Sequence, residues 1–190
     1  PSGSAVAPPV TIPGEAPAQD AGAGGGIVGG AQSTDAVQQT VLISVISDPP
    51  GATVSIVRWG MVGPALILKE LPASRVVADV GLTRPPDQDR EGLGHSEPVS
   101  LERLDTIDAD WMFLGALGMV DGPSTDDVGV AASEAALARA VETPGFTALA
   151  AYQNDRIVPV DGTVWTSAGG PLAAGLVLDD IERALTKETP

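Results

Sequence analysis

Hydrophobic and polar positions divide the chain into two textures. Residues 1–33 contain eight Gly, five Pro and seven Ala, with no Leu, aromatic or basic residue, and apolar positions show no period. Such a stretch buries too little apolar area to offset the entropy of ordering it, so it reads as a flexible low-complexity segment. Residues 34–51 are mixed. Val37, Val41 and Val45 fall at helical spacing behind Ser33 and Asp35, whereas the β-branched run 41–46 suits a strand. A helix is the favoured reading, ended by Asp48-Pro49-Pro50-Gly51.

From residue 52 onward, short β-branched or apolar runs alternate with helical patterns. Residues 52–59 (ATVSIVRW) predict a strand, and residues 61–71 an apolar stretch with a helical turn after Pro64. Residues 74–80 predict a short helix closed by Gly81, residues 84–98 a polar loop, and residues 100–107 another short helix. Residues 109–117 (ADWMFLGAL) read as a second strand, and the Ala-rich residues 133–141 as a helix. A short helix through Tyr152, a strand at residues 156–160 and a long closing helix at residues 171–185 complete the pattern. This alternation predicts an α/β fold: a three-layer lobe with a largely parallel central sheet over residues 52–190, preceded by an irregular N-terminal segment.

Composition narrows the chemistry. Ten Lys+Arg against 25 Asp+Glu give a formal net charge of −15, which argues against nucleic acid as a partner because phosphate contacts need clustered cations. No apolar run reaches the roughly 18–20 residues of a membrane-spanning helix. The absence of Cys excludes disulfides, thiolate metal sites and Cys nucleophiles within these residues, and places any Cys-borne lipid anchor upstream of Pro1. The single His95 excludes a His-cluster metal site. The acidic groupings Asp105, Asp108, Asp110 and Asp126-Asp127 lack the Gly-centred loop of a calcium site. No Gly-x-Ser-x-Gly elbow is present, so the chain reads as a non-enzyme without a cofactor. The glycines of residues 24–30 tempt a nucleotide-loop reading, which would make this a Rossmann-like domain. No strand precedes them, as a phosphate-cradling loop requires.

Three segments in order carry a resemblance. Val54-Ser55-Ile56-Val57-Arg58-Trp59-Gly60 leads through a helix to Val80-Gly81-Leu82-Thr83-Arg84-Pro85. Then come Val99-Ser100-Leu101-Glu102-Arg103-Leu104 and Ile107-Asp108-Ala109-Asp110, and finally the stretch from Phe146 to Asp161 followed by Trp165. Together they resemble the C-terminal lobe of the substrate-binding proteins that serve iron-siderophore, haem and cobalamin ABC importers.

The resemblance implies a clamshell half whose partners are a ferric-siderophore or haem-like ligand and the ABC permease subunits. Residues 34–51 would then stand where the helix between the lobes ends. It implies an extracytoplasmic location, with or without a lipid anchor upstream. Metal would arrive chelated inside the ligand, so no protein metal ligand is expected. Arg58 ends the first strand, where side chains of open α/β sheets reach the ligand crevice, and its guanidinium suits anionic oxygens. Trp59 stands beside it as an apolar wall or a core residue. Trp165, expected on a loop, takes the position of a cleft tryptophan, whereas Trp111 inside its strand is expected to pack. Arg90, in the loop 84–98, is a further ligand candidate. Glu102 matches the glutamate that docks on permease arginines, a carboxylate at a helix start that a bidentate Arg can reach. The alternative reading is an envelope interaction or scaffold protein that keeps the lobe without transport.

Overall fold

The computed structural model describes residues 51–92, 96–118 and 128–186. The low-complexity segment 1–33, the segment 34–50 with its expected helix, the glycines 24–30, His95 and Asp126-Asp127 lie outside the described residues.

Five strands form one sheet in the order β3-β2-β1-β4-β5. They are β1 (Val54–Gly60), β2 (Gly63–Leu66), β3 (Glu97–Pro98), β4 (Trp111–Ala116) and β5 (Ile157–Asp161). The parallel pairings β1–β4 and β4–β5 each match five residues, whereas the antiparallel β1–β2 and β2–β3 match four and two, so the sheet is largely parallel. The helices are α1 (Pro72–Asp79), α2 (Gly129–Val141), α3 (Ala150–Gln153), α4 (Gly162–Thr166) and α5 (Pro171–Leu185), with 3-10 turns at Leu101–Ile107 and Phe146–Ala148.

The strand period of two decides which layer each residue joins. Val57, Trp59, Met112, Leu114 and Ala116 face a core shared with Leu104, Ile107, Phe146 and the small residues Ala132, Ala136 and Ala140 of α2. Val54, Ile56, Phe113 and Val160 face the opposite core, closed by Ala73 and Val77 of α1, Trp165 of α4, and Val177 and Ile181 of α5. The result is the α/β three-layer arrangement that the alternation of elements predicts.

Alanines at every fourth position of α2 let that helix lie close on the strands. The buried Ser133 hydroxyl uses the closeness, accepting from Ala116 N (2.8 Å) and donating to the Val160 carbonyl (2.5 Å). It therefore joins β4, β5 and α2 through one side chain.

Two sequence expectations need correction. The stretch after Pro64 is no helical turn: it is the returning strand of a hairpin. Gly60 pairs with Gly63 across the Met61-Val62 turn, and Gly63 adopts φ +123°, open to glycine and strained for other residues. Pro64 has no N–H to offer, but its carbonyl accepts from Val99 N at 2.9 Å, so it still serves the ladder to β3. The polar loop 84–98 ends in that short edge strand, Glu97–Pro98.

The acidic residues near β4 have structural work. Asp110 accepts from both the backbone N–H (2.7 Å) and the hydroxyl (2.8 Å) of Thr53, tying the starts of β1 and β4 together. These two donors, with Arg156 nearby, hold its carboxyl below the usual range. Asp108 accepts from Ala150 N and Ala151 N at 2.7 and 3.2 Å, capping α3.

Candidate functional site

Because β1, β4 and β5 run parallel, their C-terminal ends share one edge of the sheet, and Arg58 lies near it on β1. Its neighbours across the sheet are Ala65 on β2 and Gly115 on β4, both too small to compete for space above the strands. The space over Gly115 is taken: a Cβ built there would meet Gly162 Cα at 2.9 Å, so α4 crosses β4 at glycine contact. On the opposite side stands the short side chain of Ala65, and Arg58 extends that way. Its Nη2 donates to Ser96 Oγ at 2.7 Å, just before β3.

Among the described residues no carboxylate forms an ion pair with Arg58; its bond goes to a neutral hydroxyl. Arg84 shares this kind of partner, donating to Ser74 Oγ, so what sets Arg58 apart is its place near the C-terminal end of β1. Arg58 is also only partly buried, so the remaining guanidinium N–H groups can reach an incoming anion.

The same edge is rimmed by apolar side chains. Met61 and Val62 at the β1–β2 turn are 79% and 97% exposed, and Leu117, Val128 and Val130 are exposed at the end of β4 and the start of α2. Val128 precedes Gly129, where an added Cβ would lie 3.5 Å from Asp161 Oδ2 at the end of β5, so α2 begins at this edge too. Five of the nine exposed large hydrophobic residues among those described therefore border Arg58's end of the sheet. Sequence reasoning misses this rim because exposure depends on tertiary position; a two-residue apolar turn between glycines is the available signal.

The other sequence candidates separate from Arg58. Trp59 points to the opposite face, 5% exposed, its ring edge-on to Phe146 at 5.2 Å. Trp165 is not on a loop. It belongs to α4, is 1% exposed, stacks on Phe113 at 4.4 Å, and donates from Nε1 to Asp180 Oδ2 at 2.8 Å. Asp161 causes this burial by capping α4: its Oδ1 accepts from Thr163 N and Val164 N, turning the chain into a helix straight after β5. An indole so enclosed offers no stacking surface, which corrects the expectation of a loop tryptophan facing ligand. Trp111 packs as expected for its strand and lies under the Arg156 guanidinium, 5.2 Å from its ring centroid.

Arg90 is likewise engaged. Its Nη2 meets Glu97 Oε1 at 2.5 Å and its Nε donates to the Asp87 carbonyl at 2.9 Å. The hydrogen bond from Arg90 holds the Glu97 carboxyl below the usual carboxylate range. Glu97 pairs with Leu66, whereas Arg58 pairs with Ala65, so these side chains leave opposite faces of the sheet. Arg90, Glu97, Leu66, Val99 and Arg103 line a groove of 450 Å³ separate from Arg58. The loop's most buried cation is instead Arg84. Desolvation draws its pKa down to about 10 against the pull of Asp89 and Glu70, and its Nη1 donates to Ser74 Oγ at 3.0 Å, fastening the loop to α1.

Glu102 is exposed near the start of the Leu101–Ile107 segment, where Ser100 Oγ accepts from its backbone N–H at 3.3 Å. That segment is 3-10, with Arg103 at a non-helical φ −123°, ψ 38°, so it has less aligned dipole than the α-helix behind the sequence argument. The carboxylate remains available by exposure.

No protein-family model matches the sequence, and no curated protein matches it. Solved structures do share its fold. SirA of Staphylococcus aureus aligns at TM-score 0.58 and 18% identity, covering 82% of this chain and 56% of that one. The triscatecholate siderophore binding protein FeuA of Bacillus subtilis, complexed with ferri-bacillibactin, aligns at TM-score 0.59 and 19% identity, covering 80% and 51%. A Bacillus subtilis protein of the FhuD fold family, a binding component of a ferrichrome ABC transporter, aligns at TM-score 0.59 and 20% identity, covering 82% and 54%. The chain spans about half the length of these proteins. It shares the fold of one part of these binding proteins.

The burial of Trp165 makes a direct prediction. Trp165→Ala should destabilise the fold by about 3–5 kcal/mol, as expected for loss of a buried aromatic side chain. Trp165→Phe, which keeps a ring against Phe113, should cost much less. Urea titration followed by circular dichroism measures both; an alanine variant as stable as the parent contradicts a core role.

Proposed function

We propose that this chain contributes one wall of an extracytoplasmic binding protein that captures a ferric siderophore for an ABC importer. The observation that carries this reading is Arg58, near the C-terminal edge of a largely parallel sheet in a chain of formal charge −15. The residue is partly buried, and its guanidinium has no carboxylate partner among the described residues. Ligands of open α/β sheets bind beyond the carboxyl ends of the strands, and the solved structures of the same fold include siderophore-binding proteins.

In the proposed mechanism Arg58 gives charge-assisted hydrogen bonds to anionic oxygens of the chelate. The apolar edges of the ligand meet Met61, Val62 and Leu117, which are exposed at the same end of the sheet. Iron arrives inside the chelate, so capture requires no protein metal ligand. Trp59 supports the wall from behind by packing on Phe146, and Arg90 holds the neighbouring edge strand through Glu97. Glu102 offers an exposed carboxylate to an arginine of the permease, the contact through which loaded protein would dock.

Isothermal titration with ferric tris-catecholate, a ferric trihydroxamate and haemin tests capture. At least one should bind saturably. Arg58→Gln should weaken binding of an anionic chelate about tenfold or more, in line with loss of a hydrogen bond to a charged group. No saturable binding to any of the three overturns the reading and leaves a lobe that serves as an interaction scaffold.

Docking has its own test in proteoliposomes carrying a siderophore permease. Glu102→Arg should lower association measured by pull-down without changing ligand affinity. Unchanged association removes Glu102 from the interface.

A further inference from the structure

Resting on the capture reading, we infer that Ser96 is the positioning residue for Arg58, and that the Arg90–Glu97 pair acts on Arg58 through it. A long side chain at a sheet edge samples many rotamers, and fixing it during ligand capture lowers affinity unless the protein has fixed it beforehand. Three features restrict Arg58. The approach of α4 at Gly115 closes one side of the strand; Ala65 on the other side is small enough for the long side chain to cross; and Ser96 Oγ receives Nη2 at 2.7 Å beyond it.

Ser96 is held in turn by the edge strand that begins at its C-terminal neighbour. Glu97 and Pro98 pair with Leu66 and Ala65, and Glu97 is bound by Arg90, itself tied to the Asp87 carbonyl. Ser96 and Glu97, adjacent in the chain, thus hold the two arginines that the sequence singles out, one on each face of the sheet. Arg90 has no need to touch ligand to affect capture.

The accepting role leaves the Ser96 hydroxyl proton available, since no other bond is made by the Ser96 side chain among the described residues. Arg58 and Ser96 together therefore present guanidinium N–H groups and one O–H to a single oxygen-rich anion. Threonine at position 96 can do the same, whereas alanine cannot.

Two readouts decide the inference separately from capture. The first uses the ligand-free protein: nitrogen-15 spectra of the Arg58 guanidinium report rotation about Cζ–Nη. Rotation should be slowed in the parent and in Ser96→Thr, fast in Ser96→Ala, and intermediate in Arg90→Gln. Equal rotation in the parent and Ser96→Ala overturns the inference. The second is titration with ferric tris-catecholate, where Ser96→Ala should lose roughly two- to tenfold in affinity, the cost of immobilising one long side chain. Ser96→Thr should restore it. Slowed rotation in a parent protein that binds no chelate supports the positioning of Arg58 while removing the capture reading; unchanged affinity in Ser96→Ala overturns the role of Ser96 in binding.

Discussion

The contact between β4 and the first turn of α4 governs both the core and the edge of this lobe. Gly115 and Gly162 meet where a Cβ on Gly162 would lie 2.1 Å from the Ala116 carbonyl oxygen, so neither position has room for a larger residue without moving backbone. Because the helix can lie so close, Trp165 one turn later reaches Phe113 and seals the layer that α1 and α5 complete. Because the same turn fills the space above Gly115, Arg58 on the adjacent strand is directed away from β4, across Ala65, toward Ser96. One close approach thereby buries an aromatic residue and orients a cation.

Much of the architecture is legible in the sequence because its signals are local. The β-branched run before Arg58, the apolar run after Asp110 and the alanine periodicity of α2 each correspond to an element with the expected face buried. The hairpin return at Gly63 is hidden because Pro64 and the apolar residues after it satisfy a helix-start pattern equally well. Pairing with β1 and β3 decides for a strand, and that is a tertiary fact.

The site is less legible, for the same reason. Arg58 can be chosen from its place at a strand end, but its lack of a carboxylate partner among the described residues depends on which side chains come near it in space. Trp165 fails as a ligand candidate because a capping aspartate, Asp161, converts the expected loop into a helix. Arg90 stands out in its loop as a charged candidate, yet its guanidinium is already committed to Glu97 and the Asp87 carbonyl. The apolar rim formed by Met61, Val62 and Leu117 is signalled in the sequence only by the apolar pair between Gly60 and Gly63, since the rest assembles from the ends of separate strands.

A protein of formal charge −15 repels anions at long range, so capture of an anionic chelate requires a local cation that no paired carboxylate neutralises. Arg58 meets that requirement among the described residues, and the exposed apolar rim adds contact area for a chelate with aromatic or aliphatic edges. The most direct measurement is amide and side-chain chemical-shift mapping with gallium tris-catecholate, a diamagnetic stand-in for the ferric complex. The account predicts shifts confined to Arg58, Ser96, Met61, Val62 and Leu117, with the Trp165 indole N–H unmoved. Shifts centred on the groove beside Arg103, or on the core around Trp165, would contradict it.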